Sequence, residues 1–222
     1  MSDERIRVLF LAADPFRETA RPELEKAVHA VDHAIRQRRA RITMELVPHL
    51  ATCPRGVREA LLRHRPQVVH FAGAGGGPGG IRLEDGHGGR GAADREVLGT
   101  LFGAPAGVRV AVVTGGGSLP AVEALGGVVD YAVGMDRAAA DALAVTFAEA
   151  FYVGLACGRG VRTAFELAVI QLQMDYPAEP AAPVLRVRAG VDPQAALVAP
   201  PASAGWSAAP AARGRRGPAR RG

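Results

Sequence analysis

Gln67-Val68-Val69-His70-Phe71-Ala72-Gly73-Ala74-Gly75 and Val108-Arg109-Val110-Ala111-Val112-Val113-Thr114-Gly115-Gly116-Gly117-Ser118 decide the reading of this chain. Each is a short apolar, β-branched run that breaks abruptly into glycine. That is how a buried strand of a parallel sheet ends in a loop. In open α/β sheets the crevice beyond the carboxyl ends of the strands is where ligands bind. The two glycine-rich tips are therefore the place to look for a site.

The pattern around them is an alternation of strands and helices. Ile6 to Ala13 reads as a first buried strand. Pro22 suits a first helical position and Glu23 and Glu25 its positive dipole end. Leu24, Ala27, Val28, Val31, Ala34 and Ile35 then recur at helical spacing to about Arg39. A strand over Ile42 to Pro48 follows, then a helix from Pro54 to His64 that Pro66 stops. The third strand is Gln67 to Phe71, and Ile81 to Glu84 is a small extended segment.

Asp94 is placed to cap a helix running through Phe102. Strands over Arg109 to Val113, Tyr131 to Met135 and Val184 to Val187 complete the sheet. Between them come a short helix, Leu119 to Leu125, and longer ones over about 138–157 and 161–175. The expectation is an α/β fold: a mainly parallel sheet of about six strands flanked by helices. Residues 1–192 form one domain, and 193–222, rich in Ala, Pro and Arg, read as a disordered tail.

At 222 residues, 48% of them hydrophobic, the chain can bury one sizeable core. Its net charge of +5 belongs to the tail. Arg213, Arg215, Arg216, Arg220 and Arg221 crowd the last ten residues, and without them 22 basic residues face 22 acidic ones. Such an Arg-Gly end can touch nucleic acid through phosphate charge. Its composition reads first as a solvated tail. No stretch approaches the roughly 20 apolar residues of a membrane span, and the acidic, polar start is no signal peptide. Cys53 and Cys157 make neither a metal spacing nor a disulfide framework. No metal or cofactor is expected, and a cytoplasmic location is.

The run His70-Phe71-Ala72-Gly73-Ala74-Gly75 resembles the His-Phe-Ser-Gly-His-Gly signature of the CHAT family, bacterial caspase-like proteins related to caspases and separases. Val112-Val113-Thr114-Gly115-Gly116-Gly117-Ser118 resembles the family's second signature, approximately Val-Val-Leu-Asn-Ala-Cys-x-Ser. The likeness extends in order over about 5–192. It takes in Leu61-Leu62-Arg63-His64-Arg65-Pro66, Gly80 to Asp85, Val133-Gly134-Met135, Ala148 to Gly160, Phe165-Glu166-Leu167 and Pro183 to Asp192. It implies a caspase-like three-layer sandwich. It also aligns the family's catalytic histidine with Ala74 and its cysteine with Gly116, to within one glycine. A cysteine peptidase needs a thiolate to attack and an imidazole to move the proton. Alanine and glycine supply neither.

The resemblance thus implies a catalytically inactive domain that binds a protein or peptide, in bacterial signalling or defence assemblies beside an adaptor or sensor. Its cleft candidates are His70, Gly73, Gly75, Gly115, Gly117, Ser118 and Asp136. His70 reads as a core or near-site histidine, because the family also has one there and does not use it. Ser118 reads as the cap of the next helix. Gly115-Gly116-Gly117 can present amides to an anion, as an oxyanion hole does. Asp136 is a candidate to hold a basic side chain, with Asp141 as a helix cap.

His87, in a Gly-His-Gly copy of the lost motif, reads as a loop residue. Two rival readings stand. One is an active cysteine peptidase with its nucleophile relocated to Cys53 or Cys157. The other is an α/β domain binding a nucleotide or anion through its glycine loops, although no Gly-Lys-Ser/Thr P-loop is present.

Overall fold

The computed structural model describes residues 5–12, 21–37, 40–49, 53–72, 81–84, 90–93, 95–102, 107–114, 118–135, 141–179 and 182–197. In these, β1 (Ile6–Ala12), α1 (Arg21–Ile35), β2 (Met44–His49), α2 (Pro54–His64) and β3 (Val68–Ala72) come first. A hairpin, β4 (Ile81–Glu84) and β5 (Arg90–Ala93), leads to α3 (Arg95–Phe102). Then follow β6 (Val110–Thr114), α4 (Leu119–Leu125), β7 (Tyr131–Met135), α5 (Asp141–Ala156), α6 (Val161–Asp175) and β8 (Pro183–Val187).

The main sheet has the order β2-β1-β3-β6-β7-β8. Its first five strands are parallel, and β8 runs antiparallel along β7. Period-two alternation splits the sheet's side chains between two cores. Ile6, Val8, Phe10, Val68, Val110, Val112, Tyr131 and Val133 pack with α1, α5 and α6. Leu9, Leu11, Val69, Phe71, Ala111, Val113 and Ala132 pack with α2, α3 and α4. Helices on both faces of one sheet make a three-layer α/β sandwich. A parallel sheet covered in this way is apolar on both sides, as the unbroken burial of β3, β6 and β7 shows.

Several boundaries move from their sequence positions. β3 and β6 each end one residue later than expected, at Ala72 and Thr114, because those two residues still pair across the sheet. β5 was not legible: Arg90-Gly91-Ala92-Ala93 has no β-branched or aromatic residue, and only its partner β4 holds it extended. α2 stops where expected, with Arg65 in the left-handed region (φ 44°) before Pro66. Asp94, the expected cap of α3, lies outside the described residues.

Residues 193–197, read from composition as the start of a disordered tail, dock on the fold. Thr163 Oγ1 donates to Gln194 Oε1 (2.8 Å), and Arg162 N donates to Pro193 O (3.2 Å). Arg109 Nη1 donates to Leu197 O (2.8 Å), and Leu197 is buried in the α1–α5–α6 core. Residues 193–197 form a strap across the amino-terminal end of the sheet, five residues that composition alone had assigned to the tail. Residues 198–222 lie outside the described part.

Candidate functional site

Strand order decides which strand ends are neighbours. β3, β6 and β7 are consecutive in the sheet and parallel, with Ala72 paired to Thr114 and Val112 to Val133. The chain segments bearing Gly73, Ala74 and Gly75, then Gly115, Gly116 and Gly117, and then Asp136 leave from Ala72, Thr114 and Met135 at one edge of the sheet. Those seven positions are themselves outside the described residues, as is His87. The two candidates that are described, His70 and Ser118, lie just beneath that rim.

His70 is fully buried on the α1–α5–α6 face of β3. A hydrogen bond of 2.7 Å joins its Nε2 to Thr114 Oγ1 on β6, and the Thr114 hydroxyl also donates to Phe71 O at 3.4 Å. Phe10 packs against the imidazole (ring centroids 4.6 Å), and Tyr152 of α5 stacks on it (5.8 Å, 13° between planes). Its Nδ1 and the Tyr152 hydroxyl have no hydrogen-bond partner among the described residues. Burial alone pushes the imidazole pKa down to about 3, since a charged ring there loses its hydration. Such a ring stays neutral and is a poor proton acceptor. His70 is a core histidine under the rim, as its strand position implied.

Ser118 departs from its expected role. It occupies the residue before α4, but its backbone is helical (φ −78°, ψ −3°) and its side chain caps nothing. A capping hydroxyl needs an extended backbone to reach back to the helix amides. Instead the buried hydroxyl accepts from Met135 N (2.7 Å) and donates to Met135 O (3.0 Å). It clips the start of α4 to the end of β7. Gly134 makes the clip possible: a Cβ there would lie 2.7 Å from Ser118 Oγ and would also collide with the Val122 side chain. With both hydrogen-bonding capacities used and no surface, Ser118 is no nucleophile.

Sequence reasoning missed Thr114, Tyr152 and Gly134. For Gly134 a signal existed, since glycine inside a strand pattern often marks another element pressed close. Thr114 and Tyr152 reach His70 only through the tertiary fold.

The two cysteines are far from this arrangement. Cys53 precedes α2, after the edge strand β2, so β1 and β3 stand between that strand and β6. Cys157 follows α5 at the other end of the sheet, where Ala156 O accepts from Arg41 N and Ile42 N just before β2 begins. Both are half-buried and outside any disulfide. At the rim edge a cavity of about 450 Å³ opens where β1 and β2 end, floored by Phe10, Ala12, Leu24 and Val28. Glu25, His29, Pro48 and His49 complete its described lining, which offers an anion no Lys or Arg. No three His, Cys, Asp or Glu side chains converge among the described residues as a metal site would require. No helix among them is long and apolar enough to cross a membrane.

A scan against protein-family models finds no match for this chain, and neither does a search of curated proteins. The family resemblance therefore rests on the residue patterns alone.

Proposed function

We propose that this chain is a CHAT-like, caspase-fold domain that has lost its catalytic dyad. In this reading it serves as a protein- or peptide-binding or regulatory module of cytoplasmic bacterial signalling or defence. One observation carries the reading. β3 and β6 are adjacent and parallel with Ala72 opposite Thr114, so Ala74 and Gly116 each follow by two residues from neighbouring strand ends. A histidine and a cysteine at those two positions would start from one edge, as a dyad requires. The described polar side chains beneath them do not replace them: His70 is sealed and neutral, Thr114 is held by His70 and Phe71 O, and Ser118 is spent on Met135. Fold alone does not give function, so activity has to be tested directly.

The test is hydrolysis of fluorogenic peptides with arginine, lysine or aspartate before the cleaved bond. The native chain runs beside an Ala74→His, Gly116→Cys double variant. The expected result is no turnover by the native chain and measurable turnover by the double variant. Native turnover abolished by Cys53→Ser or Cys157→Ser overturns the proposal. Binding is followed by fluorescence anisotropy of an uncleaved arginine peptide, whose affinity should fall by about tenfold in Asp136→Asn if that carboxylate pairs with the guanidinium.

A further inference from the structure

Among the described residues five large apolar side chains stand out into solvent, and three of them share one helix. Leu167, Ile170 and Met174 of α6 are 46%, 51% and 71% exposed. Their spacing, i, i+3 and i+7, places them on one face. That face is not the one α6 turns to the core, which is Val161, Ala164, Ala168 and Leu172.

α5 and α6 form an antiparallel hairpin whose helices meet closely. A Cβ on Gly154 would come within 2.9 Å of the Ala164 Cα. Outside this contact the two helices leave a groove of about 630 Å³, with Ala150, Val153 and Cys157 on one wall and Leu167 and Ile170 on the other.

The groove is electrically polar from end to end. Exposed Arg159 stands at the turn between the helices, and exposed Asp175 at the far end of α6. Between them α6, from Val161 to Asp175, spans about 21 Å at 1.5 Å of rise per residue. Asp175 accepts a hydrogen bond from Gln171 (2.8 Å), which holds it on the groove side. The remaining charge in the lining, Glu149, lies 3.5 Å from His33 on the α1 flank.

An interface between two identical surfaces must be its own complement: where residue i meets j, j meets i. Turned antiparallel about a two-fold axis near Leu167 and Ile170, this groove satisfies that condition. The apolar middle meets its own copy, and Arg159 of each chain comes opposite Asp175 of the other. We infer that the α5–α6 face is a self-association surface whose occupant is a second copy of this chain. It lies on the outer side of the α5–α6 layer, whose inner side packs on the sheet.

Sedimentation equilibrium of the full chain over a wide micromolar range tests this. The mean mass should rise with concentration toward that of a dimer. Ile170→Asp, at an exposed position, should hold the chain monomeric with an unchanged circular dichroism spectrum. Arg159→Asp and Asp175→Arg should each weaken association by about tenfold, since each sets two like-charge pairs face to face. The Arg159→Asp, Asp175→Arg double swap should restore it. A chain that is monomeric throughout overturns the inference. So does a dimer indifferent to Ile170→Asp, or one that the double swap fails to rescue.

Discussion

His70 has a titration that reaches from one side chain to the stability of the whole domain. In the folded chain its pKa is held near 3 by burial, against a usual value near 6.5. Below about pH 6.5 the unfolded chain therefore takes up a proton that the native chain refuses. The His70 contribution to stability is intact above that pH and falls as the pH drops toward about 3. Its slope approaches about 1.4 kcal/mol per pH unit between the two values. Urea unfolding at pH 7.5 and 5 should show a larger loss for the native chain than for His70→Gln, which has no imidazole to titrate; equal losses would refute this origin. The burial of His70 was legible, because it sits inside an apolar strand. Its partners were not. Thr114 looks from sequence like the first loop residue, and Tyr152 like one more apolar helix position. Ser118 failed in the opposite sense: residue type suggested a cap, but the helical backbone at that position aims the hydroxyl at β7 instead.

The elements themselves were mostly legible. β7 and α4 fall where periodicity placed them, and the longer helices differ only at their ends. Apolar period and proline or glycine punctuation are local signals, and buried strands and long helices carry them strongly. β5 carried none, since its extended shape comes from pairing with β4. The contact between α4 and β7 depends on one missing methyl group. Gly134→Ala would drive a Cβ into Val122 and Ser118 Oγ. We expect a loss of about 1–3 kcal/mol as α4 is levered off the sheet and the Met135 clip is strained. Chemical denaturation measures it. An unchanged midpoint would mean that α4 can shift freely. Ser118→Ala alone, which removes the hydroxyl but not the space, should cost less if packing is the larger effect.

Across the whole molecule, the least legible feature was the docking of residues 193–197. Alanine- and proline-rich sequence around 193–197 has no periodicity, so its docking shows only in the fold, through Gln194, Pro193 and Leu197. Gly160 testifies to how closely the strap lies, because a Cβ there would run into the Gln194 carbonyl. A chain ending at Leu197 should melt several degrees above one ending at Asp192, because the shorter chain lacks one buried leucine and five hydrogen bonds. Equal melting temperatures would reduce the strap to an incidental contact. The antiparallel course of β8 has a practical side. Because that last strand runs against the direction of the other five, β1 starts, at Ile6, and the described chain leaves, at Leu197, on the pole opposite the glycine-rich edge. A resin, a reporter or another domain joined directly before Ile6 or directly after Leu197 would start from the underside and leave the opposite edge facing whatever is screened against it.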